Sequence, residues 1–416
     1  MNVWILQTGE PLHYDFGNPR PMRAMNLANT LIKKGHNVTL WSTDFNHQQK
    51  INRFGGYREV RMSKLLKIKL IPSPGYERNI SLARLWDHFV LGRNLSLLLQ
   101  SEKEFPDVAF IGYPPIETAL VMVSWLKKHN IPAMLDVKDQ WPSMFVELAP
   151  KILRPVFALL LFPYFYYSKK TLKNATAFSS MSKTFLEWIS KNSGRPLSKK
   201  DIVFPLVAPH TKSKSYELVQ AKKWLNSCGI DFSHNRRFCF IGSLSPAFDF
   251  NMIRDVATKF MNEKIKCQFV LCGDGNSADE IRNMMAGLNN VVFTGWIDKP
   301  GIEALLARSL GSLAPYKNIA NFTANIPNKI IDTLSYGIPI ITSLDGEVKK
   351  IIKHKKVGFH VKSSSELEFV ILTLLSDRAV FKSIAKNAKK LYLSEYLFEK
   401  VYDLAISKLL KMSVKR

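Results

Sequence analysis

Two hydrophobic patterns alternate along this chain. Short, mainly apolar runs of strand length stand at residues 3–7, 37–42, 108–112 and 133–137. Between them the apolar positions take a helical period. In residues 21–34, Met22, Met25, Leu27, Ala28, Leu31 and Ile32 fall on roughly one face, and residues 116–128 predict a second helix. A polar loop over 8–20 separates the first strand from its helix, which Gly35-His36 closes. The pattern restarts after residue 200, with strands expected at 237–241, 267–272, 291–293, 313–315 and 338–342 and helices near 251–262 and 277–287. Strands alternating with helices imply an α/β protein with a doubly wound, mostly parallel sheet in each half and right-handed crossovers. The Pro-containing stretch 203–211 is the expected hinge, dividing the chain into domains at 1–205 and 206–395. An amphipathic terminal helix over 398–410 lies within 396–416. Such sheets bind ligands beyond the carboxyl ends of their strands, so two of them are expected to face a central cleft.

Residues 325–342 read NIPNKIIDTLSYGIPIIT. Pro327 suits the first helical position, and Gly337 suits the residue just past the helix end. The free N–H groups of Asn328 to Ile331, the helix dipole and Lys329 in the first turn together suit a phosphate. Asp332, one turn inward, is placed to accept hydrogen bonds from sugar hydroxyls. An ordinary helix-to-strand unit is the plainer alternative. Gly273-Asp274-Gly275 has the position of a phosphate-facing loop between strand and helix, or of a simple turn.

The length of 416 residues accommodates two domains, and 46% apolar with 22% charged residues is a globular composition. Cys228, Cys239, Cys267 and Cys272 have neither metal-ligand nor paired spacing, so buried thiols and no metal site are expected. The opening MNVWILQTGE lacks the charged start of a signal peptide, and a cytoplasmic location is the expectation. A net charge of +25, spread over both halves, favours an anionic membrane surface or nucleic acid. No helix-turn-helix, zinc-finger or RNP-type string is present, which argues against nucleic acid. In residues 152–173 the apolar run 155–167 is too short to span a bilayer, which takes ~20 residues. Its aromatic residues beside Lys169, Lys170 and Lys173 suit a lipid headgroup interface, with a buried core helix as the alternative.

The 325–342 segment, followed by Asp345-Gly346-Glu347, resembles the nucleotide-sugar signature of the family-4 retaining glycosyltransferases, P-S-K-x-x-E-Y-x-A-x-G-x-P-[VI]-[VI], with Asp332 in the Glu slot. The resemblance implies a GT-B fold: two Rossmann-like domains, the first binding acceptor and the second donor, without metal or cofactor. Residues 292–297 are similar to the family's V-x-F-x-G-x-V, which implies a donor base lying against the backbone at Trp296 and Ile297. Gly242 and Ser243 match the glycine turn whose N–H groups approach the pyrophosphate, and Gly273 and Gly275 complete the implied donor site with Asn328, Lys329 and Asp332. Two features depart from the family. Ala324 stands where many relatives carry the first of two glutamates, and the Arg and Lys that often follow the glycine turn are missing from SLSPAFDFNMI.

In the first half, residues 76–89, 113–119 and 136–142 resemble the branch that transfers N-acetylated aminosugars such as fucosamine in bacterial O-antigen and capsule synthesis. Asp139, at a strand end before a Trp-Pro turn, is the expected group to accept the acceptor's proton or steady the oxocarbenium-like charge, with Asp136 in reserve. A loop-capping aspartate is the alternative for Asp139. Arg20, Arg23 and Arg84 are the expected acceptor-binding cations. His13 and His88 are either site residues or structural. The expected reaction is retaining transfer from a nucleotide diphosphate sugar, UDP in particular, to a polyprenyl-diphosphate-linked oligosaccharide at the cytoplasmic face of the inner membrane. A nucleotide-sugar epimerase of the same architecture, or an inactive basic membrane adaptor, are the rivals; Ala324 keeps the second open.

Overall fold

A computed structural model describes residues 1–413 except Asn18, Ile80 and His210, and omits the side chain of Leu148. His210 of the expected hinge and Ile80 of the 76–89 match therefore lie outside the described residues. The chain divides into two compact units, Met1–Ala208 with Glu399–Arg416, and Pro209–Phe398. The terminal helix Phe398–Leu410 packs on the first unit, with Tyr402 edge-on to Phe204 at 5.1 Å and Lys34 2.9 Å from Asp403.

Sixteen strands are present among the described residues: β1 (Asn2–Leu6), β2 (Asn37–Thr43), β3 (Phe45–Asn46), β4 (Ile51–Asn52), β5 (Arg58–Arg61), β6 (Leu66–Ile71), β7 (Val108–Tyr113), β8 (Ala133–Val137), β9 (Ala177–Ser180), β10 (Ile202–Val203), β11 (Arg237–Ile241), β12 (Gln268–Cys272), β13 (Val291–Gly295), β14 (Gly311–Ala314), β15 (Ile340–Thr342) and β16 (Gly358–His360). The first unit holds an eight-stranded sheet in the order β10-β9-β8-β7-β1-β2-β6-β5, parallel apart from the edge strand β5. The second holds a six-stranded parallel sheet, β13-β12-β11-β14-β15-β16, and β3 and β4 form a small hairpin. Val3, Trp4, Ile5 and Leu6 of β1 are buried, as in a parallel strand covered by helices on both faces, and this is why such strands read as unbroken apolar runs.

The order of the parallel strands in each sheet reverses at one place. In the first, β1 lies between β2 and β7; in the second, β11 lies between β12 and β14. At such a switch the loops leaving neighbouring strands diverge and open a crevice at the carboxyl ends. Both candidate sites lie there.

Residues 151–174 do not form a buried helix. They make a turn, Lys151–Leu153, and two helices, Arg154–Leu160 and Phe162–Asn174, which break at Leu161 because Pro163 lacks the N–H that would continue the first. Ile152, Leu159 and Phe162 are 86%, 76% and 66% exposed, while Ser168, Thr171 and Leu172 carry the buried face. The core-helix alternative is thereby set aside. No helix among the described residues is long and apolar enough to cross a membrane.

Candidate functional site

In the second unit, the turns after β11 and β12 pack back to back. Gly242 N–H donates to the Cys272 carbonyl (2.9 Å), Gly273 N–H to Gly295 (2.7 Å), and Leu244 N–H to Asp274 (3.0 Å). A Cβ on Gly273 would stand 2.0 Å from the Gly242 carbonyl oxygen, and one on Gly275 2.4 Å from that of Leu244. With positive φ at Gly242 and Gly273 as well, only glycine fits both turns.

Lys329 reaches over the first of these turns from the helix Asn328–Tyr336. Gly337 ends that helix in the left-handed conformation, as expected, whereas Pro327 is its N-cap rather than its first residue. Thr333 donates to Ser312 on β14 (3.0 Å) and so ties the helix to the sheet. The Lys329 nitrogen is buried without a hydrogen-bond partner, 3.9 Å from the ring centre of Phe248, 4.2 Å from Phe240 and 5.4 Å from Tyr316. Burial pulls its amine down to about 7, because an ammonium here has exchanged water for ring faces. The π faces return part of that cost. The nitrogen has no anionic partner among the described residues, and it lies so close to Gly242 that a Cβ there would stand 2.6 Å from it.

Two of the expected free helix N–H groups are occupied: Lys329 N–H donates to its neighbour's side chain, Asn328 Oδ1 (3.0 Å), and Ile330 N–H to the Pro327 carbonyl (2.9 Å). The charge at the site therefore comes chiefly from Lys329. Asn328 is exposed and Asp332 half-buried one turn along. Ser243 is exposed with its hydroxyl beside Gly275. Trp296 and Ile297 do not join this group through their side chains. The indole of Trp296, 75% exposed, lines a groove with Trp224 and Gln220, and Ile297 is buried in the core with Leu225 and Leu305. Ala324 is buried and brings no carboxylate. The rings of Phe240, Phe248 and Tyr316 carry no sequence signature; the extra aromatics of SPAFDF are the one hint.

The first unit has a cavity of about 190 Å³ beyond β1, β7 and β8, lined by Gln7, His47, Arg84, His88, Asp139 and Trp141 among others. Arg84 lies over the rings of Trp141 (5.2 Å) and Tyr76 (5.5 Å). Burial, reinforced by Arg84, lowers His88 to about 3, and burial with Lys50 and Arg84 lowers His47 to about 4, so both imidazoles are neutral near pH 7. His88 Nδ1 faces Glu117 at 4.0 Å, a carboxyl raised above its ordinary range by burial. Asp139 is half-buried in the cavity wall.

Asp136 and Arg23 lie elsewhere. Arg23 Nη1 donates to Asp136 Oδ1 at 2.6 Å, with side chains 1% and 0% exposed, and Ser179 donates to the same oxygen (2.6 Å). Arg23 also donates to the Phe204 carbonyl. Expected as catalytic and acceptor-binding groups, these two are found buried in an internal tie between β8, β9, the first helix and the segment after β10. Arg20 is exposed in the loop before that helix, and His13 pairs with Asn29 (3.3 Å).

Residues 235–377, which include both glycine turns and the Lys329 helix, match the family described as Glycosyl transferases group 1. Over nearly its whole length the chain shares its fold with sucrose-phosphate synthase from Thermosynechococcus elongatus (TM-score 0.70, 13% identity, 99% of this chain and 98% of that one). It is similar also to HepE from Anabaena in complex with UDP (TM-score 0.64, 14%, 99% of both). A third similar structure is WaaG, a glycosyltransferase involved in lipopolysaccharide biosynthesis (TM-score 0.63, 13%, 97% and 99%). No curated protein matches the sequence. The fold is GT-B, with two Rossmann-like domains. The matched domain and the shared fold agree in pointing to the glycosyltransferases.

Proposed function

We propose that the protein is a retaining glycosyltransferase that uses a UDP-sugar, of the N-acetylaminosugar type, and a polyprenyl-diphosphate-linked oligosaccharide acceptor in bacterial O-antigen or capsule synthesis. The observation that carries this reading is the unpaired Lys329 nitrogen over the Gly242 turn, inside the matched region. A donor diphosphate there supplies the missing counter-charge, and as the glycosidic bond breaks the growing charge on the leaving diphosphate meets a fixed cation. HepE, solved with UDP on the same fold, favours UDP as the carrier. Asp332 then holds the ribose, and Asp139 accepts the proton of the acceptor hydroxyl from the wall of the first-unit cavity, where Arg84 binds the acceptor.

The exposed apolar face of Ile152, Leu159 and Phe162, beside exposed Lys169, Lys170 and Lys173, supports peripheral attachment to the cytoplasmic face of the inner membrane. Incubation with a panel of UDP-sugars, with and without lipid-linked acceptors, tests the function. Transfer, or slow donor hydrolysis without acceptor, is expected. Epimerised donor, or no binding of any nucleotide sugar, would overturn it.

A further inference from the structure

The Lys329 nitrogen has an unusual set of neighbours. Phe240 from β11, Phe248 from the following loop and Tyr316 from the loop after β14 present ring faces to it, and the Gly242 turn lies against it. The titratable side chain facing it is the Tyr316 phenol, which burial pushes up and leaves neutral. Asp332 stands a turn further along the same helix, yet burial is what acts on the lysine, with no charge from a described residue offsetting it. The rings stabilise an ammonium only in part, whereas a diphosphate would stabilise it strongly.

We propose that donor binding is coupled to uptake of one solvent proton by Lys329: the buried nitrogen has ring faces and no hydrogen-bond partner in the empty site, and an arriving sugar diphosphate brings the counter-charge that draws a proton onto it. The inference rests on the functional reading above and deepens it, because it makes the cage rings determinants of donor affinity. An amine near 7 in the empty site and well above it in the complex takes up about half a proton at pH 7 and nearly one at pH 8.5. Affinity then falls roughly 20-fold between pH 6.5 and 8.5 by the same linkage. Most lysines are fully charged across that range and give a flat profile.

Calorimetry with UDP-glucose and UDP-N-acetylglucosamine, in buffers of different ionisation enthalpy at pH 6.5, 7.5 and 8.5, reads the protons directly. Sugar diphosphates serve better than UDP, whose terminal phosphate titrates at about 6. The expected result is uptake that rises with pH in the native protein, and its loss in Lys329→Arg, which stays charged, and in Lys329→Met, which also binds more weakly. Saturable binding with no uptake and a flat affinity would overturn the inference and leave the functional reading standing. Uptake that persists in both variants would assign the proton to another group and overturn it equally. No binding of either sugar nucleotide at any pH would count against the functional reading itself.

Discussion

A methyl group on Gly242 would lie 2.6 Å from the side-chain nitrogen of Lys329, which makes the glycine turn and the lysine halves of one site although 87 positions separate them. Gly242→Ala must push the lysine aside and also hold an alanine at a φ of 150°. The expected loss is about tenfold in nucleotide affinity or more, as for a charge-assisted hydrogen bond of roughly 1.5 kcal/mol. In a double-mutant cycle with Lys329→Met the two losses should fall short of adding. Full additivity would show that the turn binds the ligand independently of the lysine.

Lys329→Met should stabilise the protein, and the pH dependence identifies the cause. Below pH 7 the lysine is charged in both folded and unfolded chains, so the cost of burying it is present in full. Between 7 and the ordinary lysine value of 10.5 the unfolded chain keeps a proton that the folded one has lost, and stability rises with pH. The gain from Lys329→Met, on the order of a few kcal/mol by this linkage, should be largest at or below pH 7 and vanish toward pH 10.5. Urea titrations at pH 6.5 and 9.5 measure it; an equal gain at both would point to improved packing instead.

Asp136→Asn separates a structural role from a catalytic one. Breaking a buried pair by neutralising one partner leaves the Arg23 charge uncompensated and typically costs about 3–5 kcal/mol. The urea midpoint should drop sharply, while the protein that remains folded keeps its turnover. Loss of turnover with stability intact would return Asp136 to the active site.

Asp139→Asn should do the opposite. Its half-buried carboxylate lines the cavity, and removing a general base typically costs ~10²–10⁴-fold in turnover. Donor affinity and unfolding midpoint should hold, as ligand titration and urea melts would show; near-native turnover would leave Asp139 a loop cap.

How far the sequence discloses this molecule depends on what each segment buries. β1, β7, β8, β11 and β12 are legible because strands covered on both faces are apolar throughout. β6 is hidden, because Lys67 and Lys69 alternate with its apolar residues and find carboxylate partners in Glu104 and Glu102, which lie beyond the following helix. Gly242, Gly273 and Lys329 are legible through turn chemistry and helix punctuation. The cage is not: Phe240, Phe248 and Tyr316 meet only after β14 has crossed to the far side of β11, and no spacing encodes that. Asp136 did carry a signal, a lone carboxylate in the apolar run MLDV. Such a residue calls for a buried partner, and Arg23 is that partner.

The exposed apolar face of residues 152–162 gives the last expectation. Isolated surface leucines need no explanation, but Ile152, Leu159, Leu160 and Phe162 all fall between residues 152 and 162, three of them at one helix break, and have lysines on the same segment. Their burial in lipid gains roughly 25 cal/mol per Å² of apolar area. Each lysine near an anionic surface adds about 1 kcal/mol. Co-sedimentation with phosphatidylglycerol-containing vesicles is therefore expected, with weaker binding as salt rises and on neutral vesicles. Leu160→Glu with Phe162→Glu changes side chains that pack on little of the fold, so the urea midpoint should hold while vesicle binding is lost. If the double variant sediments as the native protein does, the segment is not the membrane contact, and a different part of the basic surface has to account for any attachment.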